Sequence, residues 1–545
     1  MNTEFDVVVL GSGAAGLVAA VAAADSGASV GLFEKADLVG GTTALSGGTT
    51  WIPANPHQPG GEDSRADALA YLESLSHGLI DPGLAAALVD TGPAFIEWVE
   101  RATPVRFHVV TGMPDYHPEH PGGKPGGGRS LDPALFRFGE LGKWADRVVM
   151  PDRIPRLTLT EAPLGGGTGI AAPPDRATRK AEDWRGCGHA LVGGLLKALL
   201  DRGIEPVTSA RATGLLREDS GRTRRVAGVR LEMAGSARTT EVTARRGVII
   251  ATGGFEWDPD LVRAFLRGPM TSPASVPPNT GDGLRMAMEA GAALANMREA
   301  WWVPTVEIPG DEAFGRQRAR LVLRERTLPR SIMVNRQGRR FCDEAANYNA
   351  LGGAFHQFDP GSFDYANLPC WLVFDQGYLR RYGFLTVPPG GTAPGWLHRA
   401  GSVEDLAGLI GIPARALRDT VTRWNAHVEA GRDPDFRRGD SAYDGWNGDR
   451  DRYPGHGATL GPLTEPPFYA VPVHSGTLGT KGGPRTDADA RVFGLDGAPI
   501  DGLYAAGNVM AGVTGMVYGG AGGTLGPAMV FGYRAGRHAA GRRAP

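Results

Sequence analysis

The first 35 residues contain the pattern that most restricts the fold of this chain. Residues 5–10 are an apolar run that predicts a buried parallel strand, and residues 11–16 follow with the spacing GxGxxG. Residues 14–26 are rich in alanine and predict a helix, after which residues 29–35 supply a second strand. A strand, a glycine turn, a helix and a terminal acid in this register indicate a βαβ unit that binds a dinucleotide.

Each glycine of the turn has its own expected role. Gly11 permits the tight turn, Gly13 lets the backbone approach a pyrophosphate, and Gly16 lets helix and strand pack closely. Phosphate charge is favoured at the helix N-terminus, and Glu34 is placed to accept hydrogen bonds from ribose hydroxyls. The residues expected beside the cofactor here are Gly11, Ser12, Gly13, Ala14, Ala15, Gly16, Glu34 and Lys35.

Later segments favour FAD over a nicotinamide cofactor. Residues 39–49 form a second loop rich in glycine and hydroxyl groups, too close to the first for an ordinary dehydrogenase strand. Residues 247–254, 279–283 and 503–508 add strand-to-turn pieces, each unremarkable alone, whose order indicates one FAD-binding domain. These pieces predict further cofactor contacts at Gly40, Gly41, Thr42, Thr43, Ser46, Gly47, Gly48, Thr49, Ala251, Thr252, Gly253, Asp282, Gly507 and Asn508. Ala212, outside these pieces, is also expected beside the cofactor.

A second informative stretch, residues 516–527, places a tyrosine beside another glycine turn. A helix is predicted from about residue 527, and its free N–H groups would point back at a ligand. Gly523, Thr524 and Leu525 are expected to line the flavin, with Thr524 and Leu525 offering it backbone N–H groups. Tyr518, just before the turn, can donate a hydrogen bond into the same pocket.

Composition excludes several classes of protein. With 545 residues, 42% hydrophobic and 21% charged, the chain has the make-up of a folded protein of two or three domains. A net charge of −2 argues against a nucleic-acid partner. The three cysteines lie far apart, so neither a disulfide framework nor a metal site is expected. Since no export signal or apolar run of membrane-spanning length is visible, a cytoplasmic location is expected, with peripheral membrane contact left open.

Four features carry a resemblance to a known family. They are Tyr116 within Pro-Asp-Tyr-His-Pro-Glu, Tyr348 shortly after Gly-Arg-Arg-Phe-Cys-Asp-Glu, the run Leu-Gly-Thr-Lys-Gly-Gly-Pro-Arg-Thr-Asp at residues 478–487, and Tyr518 with Gly522. With them the chain resembles the flavoproteins of the fumarate reductase and succinate dehydrogenase family. Within that family it is similar to the 3-ketosteroid Δ1-dehydrogenase group.

The resemblance implies oxidation of a lipophilic 3-ketosteroid between ring-A carbons 1 and 2, with FAD as hydride acceptor and an external electron acceptor left open. Tyr348 would remove the carbon-2 proton, while Tyr518 and the Gly522 N–H would hold the 3-keto oxygen. Tyr116 would lower the pKa of Tyr348, which is near 10 for a free tyrosine. The segment before Ser46 has no histidine, so FAD is expected to be non-covalent.

The FAD pieces also divide the chain. We expect an α/β fold in which residues 1–300 and 479–545 form a discontinuous Rossmann-like FAD-binding domain, and residues 301–478 an inserted α+β catalytic domain. Residues 141–185 are either a lid or a surface insertion. Three alternatives stay open: dehydrogenation at steroid carbons 4 and 5 or of a non-steroid ring ketone, a fumarate-reductase-like reaction, and a flavin-binding sensor without turnover.

Overall fold

The computed structural model describes residues 2–58, 63–219, 224–235 and 238–542. Its strands are β1 Glu4–Leu10, β2 Val30–Phe33, β3 Thr50–Trp51, β4 Phe107–Thr111, β5 Gly127–Pro133, β6 Phe136–Arg137, β7 Trp184–Arg185, β8 Ala210–Asp219, β9 Arg224–Met233, β10 Thr239–Ile250, β11 Ser272–Pro273, β12 Leu294–Ala295, β13 Ala300–Ala313, β14 Arg316–Leu321, β15 Ser331–Asn335, β16 Phe358–Asp359, β17 Asp364–Tyr365, β18 Cys370–Asp375, β19 His398–Ala400, β20 Phe468–Thr480, β21 Gly483–Pro484, β22 Arg491–Phe493 and β23 Pro499–Ala505.

Helices connect and cover these strands. They are α1 Ala14–Asp25, α2 Gly41–Leu45, α3 Arg65–Ser74, α4 Pro82–Ala102, α5 Arg176–Ala181, α6 Cys187–Asp201, α7 Pro259–Phe265, α8 Asp282–Glu289, α9 Leu351–Phe355, α10 Gln376–Tyr382, α11 Val403–Ile410, α12 Ala414–Glu429, α13 Ala442–Asn447 and α14 Leu525–Ala539. Among the described residues no helix has the length and apolar character needed to cross a membrane.

The first sheet has the strand order β2-β1-β10-β23-β9-β8, with β22 paired to β23. Strands β2, β1, β10 and β23 run parallel, and the ends of neighbouring strands lie in register, as in the pairing of Leu10 with Phe33 and of Ile250 with Ala505. Apolar side chains on both faces explain why this part is parallel and buried. The loops that follow these strands therefore meet along one edge of the sheet, and the predicted α/β class is confirmed.

Two helices, α1 and α14, pack against this parallel sheet. Helix α1 contacts both α14 and α6, and α14 also contacts α4. Nearly every residue of α1 is buried, which its alanine-rich sequence permits because small side chains allow close helix packing. The N-termini of α1 and α14 both lie at the sheet edge where the loops meet.

The second sheet has the order β14-β13-β20-β18-β15, in which neighbouring strands are antiparallel. Helices α11 and α12 cover one face through a cluster that includes Leu406, Leu417 and Trp424. A separate cluster, with Leu372 and Phe374, fills the other face. The central strand β20 ends at Thr480, and the chain then returns to the first sheet as β22 and β23.

Candidate active site

A cavity of about 410 Å³ runs from the edge of the first sheet to a group of tyrosines. All four predicted catalytic residues line it: Tyr116, Tyr348, Tyr518 and Gly522. The predicted cofactor residues in its wall are Gly11, Ser12, Gly13, Ala14, Ala15, Glu34, Lys35, Gly41, Thr42, Thr43, Ser46, Gly47, Gly48, Thr49, Ala212, Ala251, Thr252, Gly253, Asp282, Gly507, Asn508, Thr524 and Leu525.

Three predicted cofactor residues lie behind the wall rather than in it. A Cβ on Gly16 would overlap the Gly11 carbonyl, so Gly16 serves the close approach of α1 to the preceding turn. Gly40 faces Val192 of α6, and Gly523 faces the Tyr518 ring. These three glycines must be small because other groups pack closely against them. Neighbouring residues line the cavity in their place.

The first turn has the geometry of an anion site. Gly11 has φ +100°, a left-handed conformation that favours glycine, and Gly13 is the N-cap residue of α1. A Cβ on Gly13 would meet only the Thr43 hydroxyl within van der Waals range, so the backbone is open toward the cavity. The positive end of α1 therefore faces the cavity.

Glu34 and Lys35 end the second strand and are held by protein contacts. The Glu34 carboxylate accepts from the Ser12 N–H at 2.9 Å and from the Ser12 hydroxyl at 2.6 Å. Lys35 donates to Thr280 at 2.6 Å and forms an ion pair with Asp282 at 3.0 Å. Since a carboxylate offers about four lone-pair positions, Glu34 still has capacity for ligand hydroxyls.

One buried side-chain polar atom in the cavity wall lacks a partner in the described part of the chain. The Thr252 hydroxyl is buried at the end of β10, yet it makes no hydrogen bond. A buried hydroxyl without a partner costs free energy, and such groups in folded proteins ordinarily find a ligand or water. Thr252 thus marks a polar contact point for a molecule in the cavity.

The far end of the cavity is formed by a tyrosine cluster consisting of Tyr116, Tyr348, Tyr443 and Tyr518. The Tyr116 hydroxyl donates to the Tyr348 oxygen at 3.1 Å. The Tyr518 ring lies 5.0 Å from the Tyr116 ring and 5.5 Å from the Tyr348 ring, centre to centre. The Thr524 hydroxyl donates to the Tyr518 oxygen at 3.0 Å, which leaves the Tyr518 hydrogen available to a ligand.

Burial governs the acidity of these phenols. It raises the pKa of Tyr116 and Tyr348 well above the usual value, and it also raises the pKa of Tyr518. The predicted hydrogen bond between Tyr116 and Tyr348 is present, but the pKa of Tyr348 is nevertheless raised, because burial is the largest influence on it. The expected lowering of this pKa is therefore not found in the protein alone.

The loop that carries Tyr116 is fixed by a buried polar network. Tyr116 donates its N–H to the Gly519 carbonyl at 2.9 Å, which joins the loop to the segment carrying Tyr518. The neighbouring Asp115 accepts from the Trp51 indole at 2.8 Å and from Arg129 at 2.7 Å. Burial raises the pKa of Asp115 to about 6 although Arg129 opposes this shift.

Tyr348 follows a turn that a buried guanidinium holds in place. Arg326 has 0% relative exposure, and its Nη1 atom donates to the carbonyls of Glu344 and Ala346, the latter at 2.7 Å. Within the described residues its Nη2 atom has no hydrogen-bond partner. Its positive charge lowers the pKa of Tyr116 and Tyr443, in opposition to burial. Arg326 could not be identified from the sequence because no local motif marks it.

Gly522 combines a left-handed backbone with an unpaired donor. Its φ is +95°, and a Cβ would approach Thr49 and Thr50 to about 2.5 Å, so only glycine fits. In the described structure the Gly522 N–H donates to no protein acceptor, whereas its carbonyl accepts from the Trp51 N–H at 3.1 Å. The Gly522 N–H and the Tyr518 hydroxyl are thus two donors at one end of the cavity.

The wall around the tyrosines is apolar. Tyr443 and Asn447 of α13 contribute polar groups that the sequence analysis did not identify, and burial raises the pKa of Tyr443 to about 12. The apolar residues in this wall and around the rest of the cavity include Met113, Val149, Leu159, Leu164, Phe314, Leu321, Leu323 and Leu478. Among the lining residues the structure describes, Lys35 is the only Lys or Arg, and it is paired with Asp282.

Residues 141–185, expected as a lid or a surface insertion, contribute directly to the cavity wall through Val149, Leu159 and Leu164. The Leu164 carbonyl accepts from the Trp446 indole at 3.1 Å. Asp152 forms ion pairs with Arg318 and Arg320 of β14. The segment therefore forms part of the cavity wall and is tied to β14 of the second sheet.

The chain is similar to known FAD-binding proteins over nearly its whole length. A family model described as an FAD binding domain matches residues 6–525. The 4-oxocyclohexanecarboxylate 2-dehydrogenase of Sinomonas cyclohexanicum is 43% identical, over 100% of this chain and 94% of its own. The 3-oxosteroid 1-dehydrogenase of Mycobacterium tuberculosis is 40% identical over 98% of each chain.

A solved structure matches over the whole length. The crystal structure of 3-ketosteroid delta1-dehydrogenase from Sterolibacterium denitrificans, in complex with 1,4-androstadiene-3,17-dione, has a TM-score of 0.91 with this chain. The match covers 99% of this chain and 100% of that chain at 34% sequence identity.

Proposed function

The chain belongs to the FAD-binding flavoprotein family that contains the 3-ketosteroid Δ1-dehydrogenases, and we propose that it dehydrogenates a 3-ketosteroid between carbons 1 and 2. It is an FAD-dependent oxidoreductase. The observation that best supports this reaction is the pair of donors formed by the Tyr518 hydroxyl and the Gly522 N–H. They lie at the same end of the cavity as the Tyr116–Tyr348 hydrogen bond.

The cavity fits FAD by its chemistry. The N-terminus of α1, with Gly11 and Gly13 open toward the cavity, would hold the pyrophosphate, and Glu34 would accept from the ribose. The unpartnered Thr252 hydroxyl would gain a cofactor contact. Thr524 and Leu525 would line the flavin ring, and bound FAD would accept the hydride that leaves carbon 1 of the steroid.

The tyrosines would divide the proton chemistry. Tyr518 and the Gly522 N–H would donate to the 3-keto oxygen and stabilise the negative charge that develops as carbon 2 loses its proton. Tyr348 would take that proton, and Tyr116 would donate a hydrogen bond to the Tyr348 oxygen. The buried charge of Arg326 would favour ionisation within the cluster, since it acts against the pKa increase that burial causes.

The apolar wall supports a steroid rather than a small carboxylate. A cyclohexanone carboxylate carries a negative charge, and burying an unpaired charge in an apolar pocket is costly. The lining residues described here provide one cation, Lys35, which is already paired with Asp282 beside Glu34. A second candidate, 4-oxocyclohexanecarboxylate dehydrogenation, is favoured by one observation, the 43% identity to the enzyme of that name.

The substrate class can be tested by anaerobic mixing. The purified yellow protein is mixed separately with androst-4-ene-3,17-dione, cholest-4-en-3-one and 4-oxocyclohexanecarboxylate, while flavin absorbance is followed and the product is identified by mass spectrometry. A fourth sample, reduced beforehand, receives fumarate. We expect bleaching by a ketosteroid and formation of its 1,2-unsaturated product.

Two outcomes would reject the proposal. Bleaching by 4-oxocyclohexanecarboxylate alone would assign the second candidate function. Reoxidation of the reduced flavin by fumarate, without bleaching by any ring ketone, would assign a fumarate-reductase-like reaction instead.

A further inference from the structure

A buried lysine lies directly behind Tyr518. Lys481 follows the end of β20 and has 1% relative exposure. Its Nζ atom donates to the Val517 carbonyl at 2.6 Å, which belongs to the peptide bond that leads into Tyr518. The Thr514 hydroxyl donates to the same carbonyl at 3.0 Å. The backbone at Tyr518 is therefore fixed by two side-chain donors.

Lys481 also contacts Tyr518 through an aromatic ring. Its Nζ atom lies 3.9 Å from the centre of the Trp301 ring, a cation–π geometry. The Trp301 ring meets the Tyr518 ring at 4.7 Å and an angle of 69°, and its indole N–H donates to Asn508 at 3.0 Å. One ammonium group thus fixes both the peptide before Tyr518 and a ring that packs on it.

No carboxylate neutralises Lys481 by direct contact among the described ion pairs. Glu299 attracts its charge but is paired with Arg267 at 3.4 Å, and Arg267 repels that charge. Burial is the largest influence on Lys481 and lowers its pKa to about 7. Keeping such a group in the interior is costly, and perturbed ionisable groups concentrate at functional sites.

Lys481 lies behind the wall of the large cavity, where it does not face the substrate. A small cavity of about 20 Å³ is bounded by Lys481, Trp301, Asn508 and Thr524. Asn508 and Thr524 also line the large cavity, whereas Lys481 and Trp301 do not. The lysine therefore does not line the large cavity itself, whereas its neighbours Asn508 and Thr524 do.

We propose that Lys481 is a positioning residue for Tyr518, which it holds through the Val517 carbonyl and the Trp301 ring so that the phenol points at the substrate ketone. The inference rests on the proposed function of Tyr518. Without the ammonium, the Val517 peptide and the Trp301 ring lose their shared partner, and the Tyr518 hydroxyl moves relative to the Gly522 N–H. A misplacement of about 1 Å at such a group can cost on the order of 100-fold in rate.

The main test uses Lys481→Met, which keeps much of the length of the side chain but removes its charge and donors. In the FAD-loaded variant, we expect kcat for the ketosteroid to fall about 10- to 100-fold while KM changes less than about threefold. Lys143→Met is the control, because the Lys143 side chain is 70% exposed and pairs only with Glu205 in the described structure. The control should match the wild type.

A double-mutant cycle separates positioning from general destabilisation. If Lys481 acts through Tyr518, Lys481→Met should cost little further activity once Tyr518 is already phenylalanine. Fully multiplicative losses in the double variant would overturn the proposal. A shift of the FAD midpoint potential in Lys481→Met that accounts for the whole rate loss would also overturn it, because the lysine would then act on the flavin.

Two further measurements keep the test independent of folding and of the substrate assignment. If Lys481→Met does not fold, Trp301→Phe should show the same coupling to Tyr518, and its absence would contradict the proposal. Binding of estrone, whose ring-A phenol resembles the enol, is measured by flavin absorbance. Lys481→Met and Tyr518→Phe should each weaken it about tenfold, non-additively. This readout stays informative even if no ketosteroid is turned over, which would reject the proposed function alone.

Discussion

The cofactor end and the tyrosine end of the cavity are built in different ways. At the cofactor end, short contiguous segments present backbone groups and small side chains at the ends of parallel strands, as Gly13 does before α1. At the tyrosine end, four large side chains arrive from loops and a short helix that are far apart in the chain, and they form an aromatic cluster of their own. One end depends on backbone shape, the other on side-chain contacts between distant segments.

This difference predicts that the two ends can be damaged separately. A substitution among the tyrosines should leave the cofactor end intact, because its strands and turns pack in a different core. A substitution of a polar group at the cofactor end should change FAD affinity while the tyrosine geometry stays unchanged.

The largest separate effect is expected for Tyr518→Phe. Removing one of two donors to a developing oxyanion costs about 100- to 1,000-fold in rate, so kcat should fall by that factor with FAD still bound. The matched control is Tyr443→Phe, which also removes a hydroxyl from the cavity wall but has no proposed role in the reaction. Steady-state assays with phenazine methosulfate as electron acceptor measure both variants. Full activity in Tyr518→Phe would reject its assignment.

The pH dependence of kcat/KM should report the ionisation of Tyr348, the proposed base. Burial raises the pKa of Tyr348 above the ordinary value near 10, so the phenolate fraction grows about tenfold for each pH unit below that pKa. We therefore expect log kcat/KM to rise with a slope approaching 1 between about pH 7 and 9. A plateau reached below pH 8 would contradict the raised pKa, because kcat/KM reports ionisation in the free enzyme.

At the cofactor end, Thr252→Val should weaken FAD binding without destabilising the apoprotein. The Thr252 hydroxyl has no protein partner to lose, whereas a lost hydrogen bond to FAD costs about 1 kcal/mol, or roughly fivefold in Kd. Thr486→Val is the matched control, because its hydroxyl is also buried and unpartnered but lies outside the cavity wall. Fluorescence titration of apoprotein with FAD gives Kd. Equal FAD affinity in both variants would remove Thr252 from the cofactor site.

The same contrast explains which parts of the structure could be predicted from the sequence. The strand, turn and helix around residues 4–25 follow local rules, so their positions agree with the predicted pattern within a few residues. Gly11 and Gly13 were identified because a tight turn and a close approach each require a particular residue at a particular spacing. Backbone-built sites leave such local signals.

Side-chain sites leave weaker signals. Tyr116 and Tyr348 were selected only through the family resemblance, whereas Tyr518 was also marked by its place before a glycine turn. Tyr443, which shares their cluster, was missed because nothing in its local sequence distinguishes it. Arg326 and Lys481 were also missed as supports, since their roles depend on carbonyls of segments distant in sequence. Tyr116 was expected to lower the pKa of Tyr348, but in the protein alone that pKa is raised, with burial as the largest cause.

The central claim is that Tyr348 removes the proton while the cofactor end works independently of it. The most direct measurement is anaerobic single-turnover bleaching of the flavin by androst-4-ene-3,17-dione in wild type and Tyr348→Phe. We expect both proteins to bind FAD and steroid, with bleaching in the variant slowed at least about 100-fold. Bleaching of Tyr348→Phe at the wild-type rate would contradict the account.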